Sequence, residues 1–436
     1  MSTRTKVRAR STDNLARRWA LLGRFGALPI VPQLLLLSSL AFNLGFYLVL
    51  PFLATHLATD LAMAGWIVGM VLGLRTFSQQ GLFFLGGALA DRFGTKPVVL
   101  YGCIIRIAGF VVLAFAAELP MLIIGTVLTG FAAALFSPAV EAELARQSGE
   151  LEQREVIARA DMFALYAVFA QVGAVTGPLA GAFLLSVDFT VTCLAAAGVF
   201  VLILFAFLRW LPREPAAHQG EPMLAGWAQV LHNRQFLIFA ATYSTWLLSY
   251  NQLYLALPVE LERATGGTSA LGWLFALAAG MVVVGQLPIA TFARRRLGSA
   301  RALPIGFALL AASFATVAMA VGFAPPAGAL AYAPAVALVV LLTLGQMAAV
   351  PVAQDAVARL AGEQRLGAHF GVLHTAGGVA VLLGSSALGS LLDGARTSGP
   401  AAVLPWALTA ALPAISAVVL IWLTRRSPAL RSDVHC

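Results

Sequence analysis

Tyr47-Leu48-Val49-Leu50-Pro51 returns 207 residues later as Tyr254-Leu255-Ala256-Leu257-Pro258, with one change in five positions. The offset persists beyond that phrase. Gly65-Trp66 matches Gly272-Trp273 and Gln79 matches Gln286 at 207 residues, while Gly94 matches Gly298 at 204, a three-residue deletion. Four matches at nearly one offset imply an internal duplication, so whatever the first half of the chain builds, the second half builds again.

What each half builds follows from composition. The 436 residues are 60% hydrophobic and 11% charged, whereas a soluble domain carries about 25% charged residues. Apolar runs of about twenty residues or more recur, each long enough to cross ~30 Å of hydrocarbon as a helix. This excludes a water-soluble enzyme. Apolar runs bounded by charge, Gly/Pro turns or aromatic anchors lie near 31–57, 64–90, 97–117, 120–142, 161–186, 189–210, 235–259, 270–293, 302–323, 333–356, 366–391 and 402–424. The expected fold is therefore all-α and polytopic, with twelve transmembrane helices in two pseudo-symmetric six-helix bundles. The expected divisions are a basic tail (1–30), a first bundle (31–210), a linker (211–234), a second bundle (235–424) and a short tail (425–436).

An even number of crossings returns the chain to the face on which it began. Of 28 Lys and Arg, 24 lie at or beyond helix ends in alternate connections and the two tails, seven of them in the first 24 residues. The positive-inside rule then places both termini in the cytoplasm. Trp66, Trp273 and Trp406 open spans, and Trp210 and Trp422 close them, at the headgroup level that amphipathic rings prefer. The excess of nine positive charges is spread over short loops, leaving no basic domain for nucleic acid. Cys103, Cys193 and Cys436 suggest neither a disulfide framework nor a metal site. No G-x-x-x-x-G-K-[ST] phosphate loop is present, which argues against a nucleotide-driven pump. No cofactor is expected.

Between spans two and three the chain reads Gly86-Gly87-Ala88-Leu89-Ala90-Asp91-Arg92-Phe93-Gly94-Thr95-Lys96-Pro97. This resembles G-x-L-x-D-R-x-G-R-K, the loop signature of the major facilitator superfamily, with Thr95 at the place of an arginine. Span five holds Gly173-Ala174-Val175-Thr176-Gly177-Pro178-Leu179-Ala180-Gly181-Ala182. It is similar to that superfamily's antiporter signature, G-x-x-x-G-P-x-x-G-G, with Ala182 in place of the last glycine. Together with Asn43 and the Tyr47/Pro51 pattern of span one, and Arg75-Thr76-Phe77-Ser78-Gln79-Gln80-Gly81 of span two, the chain most resembles the drug:proton antiporter group, in particular twelve-span multidrug exporters of the bacterial inner membrane. The resemblance implies alternating access, export of a small amphipathic or aromatic compound in exchange for protons, and no enzymatic chemistry. A facilitator or proton-coupled importer of a metabolite remains the alternative. A single chain is expected to suffice. The resemblance also implies that Asp91 faces the start of helix eleven, against the alternative that Asp91 and Arg92 form a solvated turn; on physical grounds Gly87 and Gly94 allow close helix approach and a tight turn, and Arg92 and Lys96 anchor the cytoplasmic face.

Physical chemistry singles out further positions. Arg75 lies nine residues past Trp66, about 13 Å along a helix and so near the midplane, where an arginine should face protein or a water-filled cavity. It either lines the cavity, with Gln79 one turn on and Gln286 approaching from the other half, or clamps backbone carbonyls. Tyr243, Trp246, Tyr250 and Tyr254 form one stripe of span seven, consistent with an aromatic substrate wall or with core packing. Gly173, Gly177 and Gly181, spaced by four, suit close helix packing, and Pro178 suits a bend. Glu141, Asp355, His369 and His374 are candidate proton carriers, against the alternative of helix-end ion pairs for the acids and structural roles for the histidines. Residues 31–57 contain no acid, although drug antiporters often place their titrating carboxylate in helix one.

Overall fold

In a lipid interior every backbone N–H and C=O must be satisfied within its own segment, which leaves the helix as the only choice for runs of this kind. The computed structural model describes residues 25–157, 159–212, 227–361, 366–396 and 398–427. Twelve rods cross the molecule among the described residues. In the first half they are α1 (Ile30–Thr55), α2 (Gly65–Gln80 continuing as Phe83–Phe93), α3 (Thr95–Ala114), α4 (Leu119–Gln153), α5 (Arg159–Leu185) and α6 (Phe189–Trp210). In the second they are α7 (Arg234–Thr265), α8 (Leu271–Phe292), α9 (Ser299–Val321), α10 (Ala333–Leu360), α11 (Leu366–Asp393) and α12 (Pro400–Arg426). A short helix, Trp227–His232, precedes α7.

The duplication is visible in the backbone. Gly94 and Gly298 both stand immediately before a helix with φ of 86° and 71°, a left-handed geometry that costs glycine nothing and other residues much. These two glycines therefore let α2 turn into α3 and α8 turn into α9 by the same tight route. Pro51 and Pro258 lie inside α1 and α7 at matching positions, both buried.

Nine of the rods are long and apolar enough to cross a bilayer on length and composition; α2, α7 and α8 are the exceptions among the described residues. Those three carry the break at Gly81–Leu82, the polar stripe of α7 and the short apolar stretch of α8, and all three sit where the halves meet. Within the first half, α1 packs on α5 and α6, and α3 on α4 and α6. Within the second, α9 packs on α10 and α12. The halves join through α2 on α11, α5 on α8 and α1 on α7. Large apolar side chains such as Phe183, Leu202, Val284 and Phe323 stay exposed around the circumference; lipid tails are as apolar as these side chains, so exposure there carries no penalty.

Candidate functional site

At mid-height the seam between the halves holds a cluster of tyrosines beside an arginine. The hydroxyls of Tyr47 on α1 and Tyr250 on α7 lie 3.2 Å apart, and Tyr254 donates to Tyr250 over 3.4 Å. The ring of Phe46 meets Tyr254 edge-on at 6.3 Å and carries the Arg75 guanidinium 4.5 Å above its centroid. Next to Arg75, Thr76 donates to the Asn251 amide oxygen at 3.1 Å, and the Asn251 amide nitrogen donates to Ser385 at 3.0 Å. This chain ties α2 to α7 and α11 with every link buried. Buried side-chain bonds of this kind fix one arrangement of a seam, because a misplaced partner leaves a polar group with nothing to bond.

The α7 aromatics form a continuous ladder. Tyr243 stacks on Phe239 at 5.8 Å and on Trp246 at 5.5 Å, Trp246 on Tyr250 at 6.1 Å, and Tyr254 on Phe275 of α8 at 5.2 Å. Tyr243 and Tyr254 are buried, whereas Trp246 and Tyr250 are half-buried. Only the middle of the ladder therefore retains free ring surface. Gln79 is half-buried. Gln286 directs its amide to the Met347 carbonyl of α10 at 3.5 Å, inside its own half, and Asn43 donates to Ser39, one turn back on α1.

The seam is sealed at the face opposite the chain termini. A Cβ at Gly65, Gly69 or Gly73 of α2 would collide with the α11 backbone at Gly389, Ser385 or Leu382. A Cβ at Gly272 of α8 would crowd Ala182 and the Pro178 carbonyl of α5. Asp393, at the end of α11, accepts the backbone N–H of Gly65 at 2.7 Å. This donor is one of the four that the start of a helix leaves unpaired, and a carboxylate there also meets the positive end of the helix dipole. Arg396 bonds Glu262 of α7 at 2.5 Å, and the buried pair Arg263–Glu260 closes at 2.7 Å.

In the loop motif, Lys96 donates to the carbonyls of Leu208 at 3.1 Å and Leu211 at 2.5 Å, capping the end of α6 with positive charge. Arg92 is exposed over Phe93. At Gly87, at Asp91 and at residues 366–368, where α11 starts, the helical backbone is described and the side chains are not. In α5, Gly173, Gly177 and Gly181 meet α1 at Leu40, Tyr47 and Leu48, and Pro178 is buried. Among the candidate proton carriers, Glu141 is exposed near the end of the bilayer segment of α4. Asp355 pairs with Arg359 one turn on. His369 is buried edge-on to Phe236 at 4.7 Å, and His374 packs against Phe83 of α2 at 5.3 Å. Beside His374, Thr375 donates to the Gly81 carbonyl at the break in α2.

Four residues of this seam escape a reading of the sequence: Thr76, Asn251, Ser385 and Asp393. Asn251 and Gln252 stand together in an otherwise apolar stretch of span seven, a signal open to reading. Ser385 and Asp393 carry no comparable signal, since a serine in a helix and an acid in a short connection are both unexceptional.

The family model described as Major Facilitator Superfamily matches residues 35–385. An uncharacterized MFS-type transporter of Mycobacterium tuberculosis is 41% identical over 369 residues, covering 84% of this chain and 86% of that one. Multidrug resistance protein MdtH of Aeromonas hydrophila is 30% identical over 401 residues, covering 91% and 96%. Among solved structures, a POT family transporter in complex with 5-aminolevulinic acid superposes with a TM-score of 0.75 at 12% identity, over 91% of this chain and 96% of that one. The nucleoside transporter NupG gives 0.72 at 16%, over 92% and 100%. These two show the fold alone.

Proposed function

The chain belongs to the major facilitator superfamily, and from that premise we propose that it is a secondary exporter of a small amphipathic or aromatic organic compound, exchanged for protons across a bacterial inner membrane. The observation that carries the export reading is near full-length similarity to proteins named Multidrug resistance protein MdtH. The seam supports it. Trp246 and Tyr250 offer ring faces to an aromatic solute, the three tyrosine hydroxyls orient it, and Arg75 stands behind Phe46.

Both termini face the cytoplasm in this reading, because Lys and Arg concentrate on that side. The face closed by Asp393 is then the outer one, and the passage loads from inside. On export the α2/α11 and α5/α8 contacts open outward, and Asp91 closes the inner face against the start of α11. His374 packs on the α2/α11 seam where that motion occurs, which makes it our first choice among the candidate carriers; Glu141, Asp355 and His369 follow.

The facilitator or importer reading draws on one specific observation: α1, Ile30–Thr55, contains no Asp or Glu. Transport in everted vesicles separates the two. A lipophilic dye accumulates inside everted vesicles and is released on adding a protonophore if the exporter reading holds; accumulation that survives the protonophore removes the proton coupling, and uptake confined to right-side-out vesicles removes export.

A further inference from the structure

Inside the first bundle, beside the seam, two arginines line one small void. Arg75 of α2 and Arg106 of α3 share it with Phe46, Val49, Leu50 and Leu53 of α1, Phe110 and Leu113 of α3, and Thr129 of α4. Both side chains are almost wholly shielded, at 6% and 1% exposure. The Arg106 guanidinium donates to the Thr129 carbonyl at 2.6 Å and lies 4.8 to 5.3 Å from the ring centroids of Phe42, Phe110 and Phe200. One nitrogen of each arginine, Nη2 of Arg75 and Nε of Arg106, is buried without a hydrogen-bond partner.

The countercharge is missing from the sequence itself. No Asp or Glu occurs in residues 30–55, 65–90, 95–114 or 119–140, the membrane portions of the four helices around the void. Ring faces offset a cation by about 0.5–2 kcal/mol each, and a neutral water would satisfy the orphaned nitrogens. Neither removes the repulsion between two like charges in a medium of low dielectric constant. A bound anion does both at once. The free room is about 20 Å³, enough for one particle of water's size.

We propose that Arg75 and Arg106 hold one small monovalent anion, of chloride size, as a fixed counterion inside the first bundle. A halide from solution and the carboxylate of an organic ligand carry the same charge, and the volume of the void favours the halide. The proposal is independent of what is exported and in which direction, since every residue lining the void belongs to the first half.

The test is thermal melting of the purified protein, titrating potassium chloride against potassium gluconate at constant ionic strength, with potassium benzoate as a second arm. The expected result is a saturable rise of several degrees with chloride and none with benzoate. A rise with benzoate alone keeps the anion site and assigns it to a ligand carboxylate. No rise with either overturns the proposal. Arg75→Gln should raise the half-saturating chloride concentration at least about tenfold, the equivalent of one lost charge-assisted bond; an unchanged concentration also overturns the proposal. Arg106→Gln should weaken the chloride response likewise; should it fail to fold, Arg106→Lys retains the charge and should preserve the response with weaker affinity, and an unchanged affinity in a folded Arg106→Gln overturns the proposal.

Discussion

The bond from Gly65 N–H to Asp393 is the one point where an acidic side chain of one half caps a helix of the other among the described residues, at 2.7 Å. Its contribution to keeping that face shut can be estimated. A carboxylate at a helix N-terminus contributes about 0.3–1 kcal/mol when exposed and up to about 2 when partly buried. The Asp393 side chain is 41% exposed, which places it near about 1 kcal/mol. That energy applies only to the closed arrangement, because separating α11 from α2 returns both groups to water. Asp393→Asn keeps the side-chain shape and removes the charge, so the open-to-closed ratio should rise about fivefold. Thr55 lines the small cleft behind this contact and is half-buried. Thr55→Cys, in a background with Cys103, Cys193 and Cys436 replaced by serine, reports opening through its reaction rate with a bulky maleimide in nanodiscs. The rate should rise about fivefold with Asp393→Asn and at least as much with Asp393→Ala. Equal rates in all three proteins would show that the glycine contacts alone hold the face closed, and the reasoning from helix capping would fail.

Gly69→Ala places a methyl group against the Ser385 carbonyl of α11, and neither backbone can yield without the rods separating. Transport should be lost while the Thr55→Cys reaction rate exceeds that of Asp393→Asn; Gly198→Ala, where a Cβ meets nothing within 4 Å, should behave as the parent does. Asn251→Ala leaves Thr76 and Ser385 without their partner, and since both hydroxyls can turn to a carbonyl on their own helix, the expected loss is about 1 kcal/mol. Thermal melting of Asn251→Ala, Ser385→Ala and the double variant should show non-additive losses.

The twelve rods and the two halves are legible in the sequence because they rest on local quantities: the length of apolar runs, and a repeat whose members keep their spacing. Gly94 and Gly298 illustrate this. Their match at an offset of 204 becomes two glycines with nearly equal left-handed backbones at equivalent turns. The break at Gly81–Leu82 leaves no mark in the pattern, since the apolar run passes through it and only the acceptor at Gly81 reveals its use. The stripe Tyr243, Trp246, Tyr250 and Tyr254 is legible as a stripe. Which of its members keep free surface is set by Phe239, Phe275 and Phe307 packing against it, and helical period says nothing about neighbours from other helices. Asp393 is the extreme case. Its partner lies 328 residues away and is a backbone group, so no side-chain pattern could announce it.

Duplication copied the scaffold and left the chemistry unequal. At the 207-residue offset Tyr47 faces its twin Tyr254, but Arg75 corresponds to Val282, and Asn43 and Leu44 correspond to Tyr250 and Asn251; at the later offset of 204, Arg106 corresponds to Leu310. Among the described residues, the buried arginines without an acidic partner thus belong to the first half and the aromatic ladder to the second. In the proposed cycle a solute at the seam meets the stacked rings of α7 on one side and, on the other, Phe46 with Arg75 behind it. Rocking the halves about it changes which rings and hydroxyls it touches, while Arg75 and Arg106 move as one rigid pair with the helices that enclose them. Charge carried inside one bundle is not made or broken by the rocking motion, whereas bonds across the seam, such as Tyr47–Tyr250 and Thr76–Asn251, are. The energetic difference between the two faces of the cycle must therefore reside in the cross-seam bonds and in the occupant. For that reason substitutions at Asp393, Gly69 and Asn251 should alter the balance of states, and substitutions at Arg75 and Arg106 should alter how firmly the first bundle holds together.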